Sequence, residues 1–177
     1  MITIVDFGSG NVAAISNIYK RLNLPYSVAS SPQELLCATK LILPGVGAFD
    51  QTMLRLNSLG FTDVLNEMVL HKKTPILGVC VGMQVMAKSS EEGELSGFGW
   101  IDATVNKLDE AELERKPYLP HMGWNAVELC DHPHAKLLEG IDVEKGFYFL
   151  HAYYFSCNNP FDRLCFTDYG LTFTSAV

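Results

Sequence analysis

Three short runs dominated by Ile, Val and Leu recur along the first half of the chain: Ile2-Thr3-Ile4-Val5, Lys40-Leu41-Ile42-Leu43 and Ile76-Leu77-Gly78-Val79. Each is followed by a loop and then by a helical pattern. Continuous apolar runs, unlike alternating ones, suit strands buried on both faces of a parallel sheet, where the crossovers are helices. The intervening segments supply those crossovers. Val12 to Leu22 is amphipathic through Val12, Ile15, Ile18, Tyr19 and Leu22. Ser31-Pro32-Gln33-Glu34 reads as a capping box with proline at the first helical position. Phe61, Val64, Leu65, Met68 and Val69 fall at i, i+3, i+4, i+7 and i+8 and make one apolar stripe that ends before Pro75. The first half therefore reads βαβα.

The second half changes character. Trp100 to Val105, Trp124 to Leu129, Phe147 to Leu150, Tyr153 to Ser156 and Leu171 to Val177 are short strand-like runs separated by turn residues, which suit an antiparallel extension or edge of the sheet. Asp109 to Lys116 is charged and aperiodic, an exposed loop or helical tip. At 177 residues and 48% hydrophobic, the chain is expected to be one domain spanning 1–177, burying about 70% of the surface its unfolded form exposes. A net charge of −7, with no Lys/Arg run, argues against a nucleic-acid partner. No apolar stretch reaches the roughly 20 residues of a membrane span, so a soluble, cytoplasmic protein is expected. The five cysteines include no C-x-x-C pair, and His132-Pro-His134 lacks clustered carboxylates, so no metal site is expected.

The strongest chemical signal is Gly78-Val79-Cys80-Val81-Gly82-Met83-Gln84, where a strand meets a helix expected over Val81 to Ala87. This is a G-x-nucleophile-x-G elbow with cysteine as the nucleophile. So sharp a turn strains the nucleophile's backbone and leaves no room for side chains two residues before and after it. At a helix N-terminus a thiolate is stabilised, which lowers its pKa, and the Val81 N–H is placed to meet a developing oxyanion. A second loop, Pro44-Gly45-Val46-Gly47-Ala48-Phe49, leaves another strand on the same carboxyl edge, and its glycines permit a peptide flip that would supply a second oxyanion N–H. In Asp6-Phe7-Gly8-Ser9-Gly10-Asn11, residues Gly8, Gly10 and Ala13 fit a dinucleotide fingerprint. The acidic residue that should follow about 20 positions later is missing. His121 and His151, in the polar-aromatic stretches Pro120 to Asn125 and Phe149 to Tyr154, are candidates for the base a cysteine nucleophile needs.

Taken in order, Asp6 to Asn11, Pro44 to Phe49, Gly78 to Gln84, Pro120-His121-Met122-Gly123-Trp124-Asn125 and His151-Ala152-Tyr153 resemble the motif set of the class I (triad-type) glutamine amidotransferases. Within them the chain is most similar to the family of glutaminase subunits of imidazole glycerol phosphate synthases, and the resemblance runs the whole length. It implies an α/β, flavodoxin-like three-layer sandwich with a mostly parallel central sheet and an antiparallel extension, and no cofactor. By that resemblance Cys80 attacks the side-chain amide of glutamine, ammonia leaves, and water hydrolyses the glutamyl thioester. Val81, Val46 and Gly47 would form the oxyanion hole. Gly45, Gln84 and the main chain of His151, Ala152 and Tyr153 would hold glutamine. Asn11, Pro120, His121, Met122, Gly123, Trp124 and Asn125 would face a (β/α)8-barrel synthase (cyclase) subunit, which receives the ammonia in a heterodimer. The pathway would be histidine biosynthesis or a related surface-sugar amidation.

Two departures qualify this. Ala152 stands where the family has serine. The His-Pro-Glu tripeptide that supplies the family's catalytic histidine and glutamate, downstream of the Ser175-Ala176-Val177 equivalent, occurs nowhere in the sequence. The chain is therefore expected to lack its C-terminal segment, and the alternative is a catalytically impaired, truncated amidotransferase-like binding subunit.

Overall fold

The computed structural model of the chain describes residues 1–109, 111, 118–130 and 135–177. They cluster into two compact units, Met1–Trp100 and Ile101–Val177. The first unit runs β1 (Ile2–Val5), α1 (Val12–Arg21), β2 (Tyr26–Ala29), α2 (Pro32–Leu35), β3 (Lys40–Gly45), α3 (Phe49–Ser58), α4 (Phe61–Asn66) with a π-helical continuation (Glu67–His71), β4 (Ile76–Cys80), α5 (Val81–Gln84) and β5 (Ser89–Ser90). Strands β1 to β4 are parallel in the order β2-β1-β3-β4. Ile4, Val5 and Leu43 at its centre are fully buried, as a sheet with helical crossovers requires.

Several local expectations need correction. The third apolar run is not buried on both faces. Leu77 and Val79, which share one face of β4, stay 40% and 44% exposed, and among the described residues β4 pairs only with β3. In α1 the buried residue is Ser16, while Ile18 and Leu22 are exposed; Ile18 lies two residues on, about 200° around the helix. Ser31 makes no capping bond through its side chain, and the Glu34 carboxylate instead accepts the Ser30 N–H at 2.8 Å. Helix α3 was not anticipated, although Phe49, Thr52, Met53 and Leu56 are all buried at helical spacing. The polar Thr52 hid its stripe. Helix α5 is one turn long and stops at Gln84, short of Ala87.

The second unit contains β6 (Ala103–Lys107), β7 (His121–Asn125), β8 (Glu128–Leu129), β9 (Phe147–His151), β10 (Tyr153–Cys157), β11 (Cys165–Asp168) and β12 (Thr172–Ala176). Strands β6-β10-β12-β11-β8 pair antiparallel in that order, and β7 and β9 form a separate antiparallel ribbon. The expected antiparallel region is thus present, with hydrogen-bonded ladders distinct from the parallel one. The run from Trp124 to Leu129 divides into β7 and β8 because its two ends serve different sheets. Val127, Leu164 and Cys165 form a small buried cluster, with Leu138, Val143, Phe149 and Ala176 packed around it. Most of Asp109 to Lys116, and His132 and His134, lie outside the described residues. Among the described residues no helix is long and apolar enough to cross a membrane.

Candidate active site

Cys80 ends β4 at φ 58°, ψ −121° and serves as the N-cap of α5. A non-glycine residue in the left-handed half of φ space costs on the order of 1–3 kcal/mol and persists only where its surroundings impose it. Three glycines impose it here. A Cβ on Gly82 would overlap the Leu43 carbonyl oxygen; one on Gly78 would lie 2.6 Å from the Gly82 carbonyl oxygen and 2.7 Å from Met83 Cα. Gly45, at the end of β3, would place a Cβ 2.6 Å from the Gly82 nitrogen. The backbones of the β3 end and the elbow are therefore in direct contact, which the spacing around Cys80 alone did not reveal.

The surroundings of the thiol oppose the lowering that its position at a helix N-terminus suggested. Burial pushes its pKa above the ordinary value; the Val81 N–H bonded to it works in the opposite direction, and the Glu92 carboxylate raises it further. A one-turn helix supplies little dipole, so the shift runs upward, against the expected lowering. Gln84 is buried on α5, one turn after Cys80.

The Pro44–Phe49 loop is tied to the first loop of the chain. Ser9 Oγ donates to the Val46 carbonyl at 2.7 Å and accepts the Val46 N–H at 3.1 Å. Both polar groups of an otherwise exposed residue are thereby occupied, and in this state the Val46 N–H points at Ser9. The Arg55 guanidinium on α3 bonds the Gly8 carbonyl and steadies the same loop. Asn11 caps α1 by accepting the Ala14 N–H at 3.0 Å. At the other end of the loop the Glu92 carboxylate accepts the Phe49 N–H at 2.8 Å, and Asp50 accepts the N–H groups of Glu94 and Leu95 at 2.9 and 3.0 Å. Ser9, Asp50 and Glu92 escaped the sequence reading because single Ser, Asp and Glu residues carry no pattern.

In the second unit the β7–β9 ribbon has two unlike faces. Met122 is paired with Leu150 and Trp124 with Tyr148, and all four are more than half exposed. The other face carries His121, paired with His151, and Gly123, paired with Phe149. Of the stretch Pro120 to Asn125 expected at a partner surface, Pro120, Met122 and Trp124 are exposed, Gly123 and Asn125 are half-buried, and His121 is buried at 2% exposure. Its ring stacks on Tyr169 at 3.8 Å and on Phe149 at 4.7 Å. His121 Nδ1 lies 2.8 Å from His151 Nε2, and His151 Nδ1 lies 2.9 Å from the Tyr153 carbonyl oxygen. Burial, with a smaller push from His151, brings the His121 pKa down to about 4; burial lowers that of His151 too, against an opposing hydrogen bond to Tyr153. Both rings are neutral at pH 7. Ala152 lies between them and Tyr153, and its carbonyl accepts the Leu108 N–H at 2.9 Å.

Comparison with known proteins bears on what this arrangement serves. The family profile described as glutamine amidotransferase class-I matches residues 3–170. "Imidazole glycerol phosphate synthase subunit HisH" of Bdellovibrio bacteriovorus is 46% identical over 177 residues, covering 100% of this chain and 86% of that protein. The protein of the same name from Leptospira interrogans is 46% identical over 178 residues, with the same coverages. "Imidazole glycerol phosphate synthase subunit HisH 2" of Methanococcus maripaludis is 43% identical, covering 100% of this chain and 85% of its own. A solved structure titled "Crystal structure of glutamine amidotransferase" aligns with a TM-score of 0.59 at 17% identity over 88% of this chain and 70% of that one. That likeness speaks for the fold, whereas the full-length identities and the profile speak for descent. With a strained cysteine elbow packed against a glycine loop as its structural mark, the chain belongs to the class I glutamine amidotransferases.

Proposed function

We propose that the chain is the glutaminase subunit of an imidazole glycerol phosphate synthase, hydrolysing glutamine to glutamate and ammonia and passing the ammonia to a synthase partner. The observation that carries this reading is Cys80 held at positive φ on an elbow of backbone-contacting glycines. The sulfur adds to the carboxamide carbon of glutamine, and the carbonyl oxygen becomes an oxyanion that the Val81 N–H can meet. The C–N bond then breaks, ammonia leaves with a proton, and water cleaves the thioester to glutamate and free thiol. A second donor to the oxyanion comes from the Val46–Gly47 segment once the Val46 N–H is released from Ser9, with Gly45 and Gln84 holding the substrate.

Free ammonia is protonated and diluted in water, so its release is best coupled to an occupied acceptor site. A loop with two hydrogen-bonded states provides such coupling. The exposed Met122, Trp124, Tyr148 and Leu150 offer an apolar face for the synthase, which the resemblance implies is a (β/α)8 barrel. Cys80→Ala should lower glutamate release in the complex with the synthase by at least about a thousandfold and abolish labelling by a diazoketone analogue of glutamine. Undiminished release would overturn the mechanism.

A second reading, an amidotransferase-like subunit that binds the synthase without turnover, draws support from the raised pKa of Cys80. Tight association with a synthase, with neither release nor labelling, would favour it.

A further inference from the structure

The start of α3 is capped from a distance. Ala48, at the N-cap position, has no side-chain oxygen to offer the unpaired N–H groups of the first turn, and the Glu92 carboxylate takes that place by accepting the Phe49 N–H at 2.8 Å. The tie is reciprocal. Asp50, the next residue of α3, accepts the Glu94 N–H through Oδ2 at 2.9 Å and the Leu95 N–H through Oδ1 at 3.0 Å. Each segment thus lends a carboxylate to the main chain of the other. Between the two stands Gly93, where a Cβ would overlap the Asp50 carboxylate. The φ of Gly93 lies outside the left-handed region, so this glycine provides room for that carboxylate and not backbone freedom. The turn is also closed from within, since the buried Ser90 Oγ accepts the Glu92 N–H at 3.1 Å.

What the clasp holds is a charge near a sulfur. Burial is the main cause that raises the Cys80 pKa, and the Glu92 carboxylate is the charge that adds to it. Within the first unit, β4, α5 and the glycine loop bring no other titratable side chain to Cys80, and β3 brings only Lys40, at its opposite end. Helix α3 brings Asp50 and Arg55, both bonded to main chain elsewhere, and the segment after α5 brings Lys88, Glu91 and Glu94 beside Glu92. We propose that Asp50 is a positioning residue for Cys80: by holding the Gly93–Leu95 main chain it seats the Glu92 carboxylate on the first N–H of α3, where that charge governs the reactivity of the Cys80 sulfur. This rests on the function proposed above only in taking Cys80 as the nucleophile. Asp50 acts through Glu92.

The competing explanation is that the clasp ties two segments together and leaves the thiol untouched. Alkylation of Cys80 by iodoacetamide in the free chain, followed peptide by peptide with mass spectrometry so that the other cysteines are counted apart, separates the two. The rate follows the thiolate fraction, so its midpoint in pH reads the charge around the sulfur while its high-pH plateau reads access. Glu92→Gln should lower the midpoint by about half a unit, which makes alkylation about threefold faster at pH 7. Asp50→Ala and Gly93→Ala should each do the same, with plateaus within about twofold of wild type. Gly93→Ala keeps both carboxylates and only expels that of Asp50, so it carries the test even where Asp50→Ala does not fold. Added to Asp50→Ala, it should change nothing further. An unmoved midpoint in any folded single variant, or a change confined to the plateau, overturns the proposal. Glutamine turnover is read separately: a wild-type synthase complex that releases no glutamate removes the glutaminase reading, whereas the midpoints decide the seat of Glu92 whatever the turnover.

Discussion

The two units hold their candidate chemistry by different means. In Met1–Trp100 the candidate nucleophile is placed by backbone: Gly45, Gly78 and Gly82 let main chains touch, and Cys80 takes a φ that only such contact sustains. In Ile101–Val177 the work falls to side chains, with Asn125, His121 and His151 ordered by the direction of their hydrogen bonds. Backbone placement is insensitive to pH and intolerant of a single added carbon. Side-chain placement tolerates changes of shape but depends on where two protons sit.

The largest effect should come from testing the backbone side. Gly82→Ala drives a methyl into the Leu43 carbonyl, a main-chain group with no rotamer to move, so a loss of about 4 kcal/mol or more is expected in urea denaturation. A loss below about 1 kcal/mol would mean that the elbow relaxes freely and that the contrast between the units is overdrawn.

Next comes the acid response of the histidine pair. Folded His121 titrates near pH 4, whereas in the unfolded chain a histidine titrates at about 6.5. Between those values the unfolded chain binds the proton that the folded one refuses. The stability tied to neutral His121 is therefore complete above pH 6.5 and lost as pH falls toward 4, on the order of 3 kcal/mol over that window. His151, shifted in the same direction, adds to the slope. Urea midpoints from pH 7 to 4.5 should fall more steeply for wild type than for His121→Phe. Parallel curves would remove His121 from the account.

The smallest effect probes the place where the first unit also relies on a side chain. Ser9→Ala frees both polar groups of Val46, which are otherwise worth roughly 1 kcal/mol of restraint. Glutamate release by the synthase complex without acceptor ligand should rise about fivefold. An unchanged or lower rate would show that Ser9 supports the loop rather than restraining it.

That same contrast explains what the sequence made legible. Glycines at fixed offsets from Cys80 and buried runs such as Lys40 to Leu43 carry their geometry in their composition, so the parallel sheet and the elbow could be read directly. The burial of Ser16 in place of Ile18 depends on how α1 is rotated, which periodicity alone does not fix. The rise in the Cys80 pKa depends on desolvation around one sulfur, and a helix N-terminus in a sequence promises the opposite. The pairing of His121 with His151 needs two residues thirty positions apart to meet across a ribbon. Nothing in either neighbourhood announces that register.

Register is where the ribbon has its least obvious vulnerability. Its faces alternate residue by residue, so sliding β7 past β9 by a single position would turn Met122 and Trp124 inward and bring the imidazole of His121 into water. Among the described residues this ribbon has no third strand to resist such a slide. The bond between the histidines closes the ladder at the His121 end, and it cannot form in any other alignment. It acts as a pin, and among the described residues this histidine–histidine contact keeps two strands in phase.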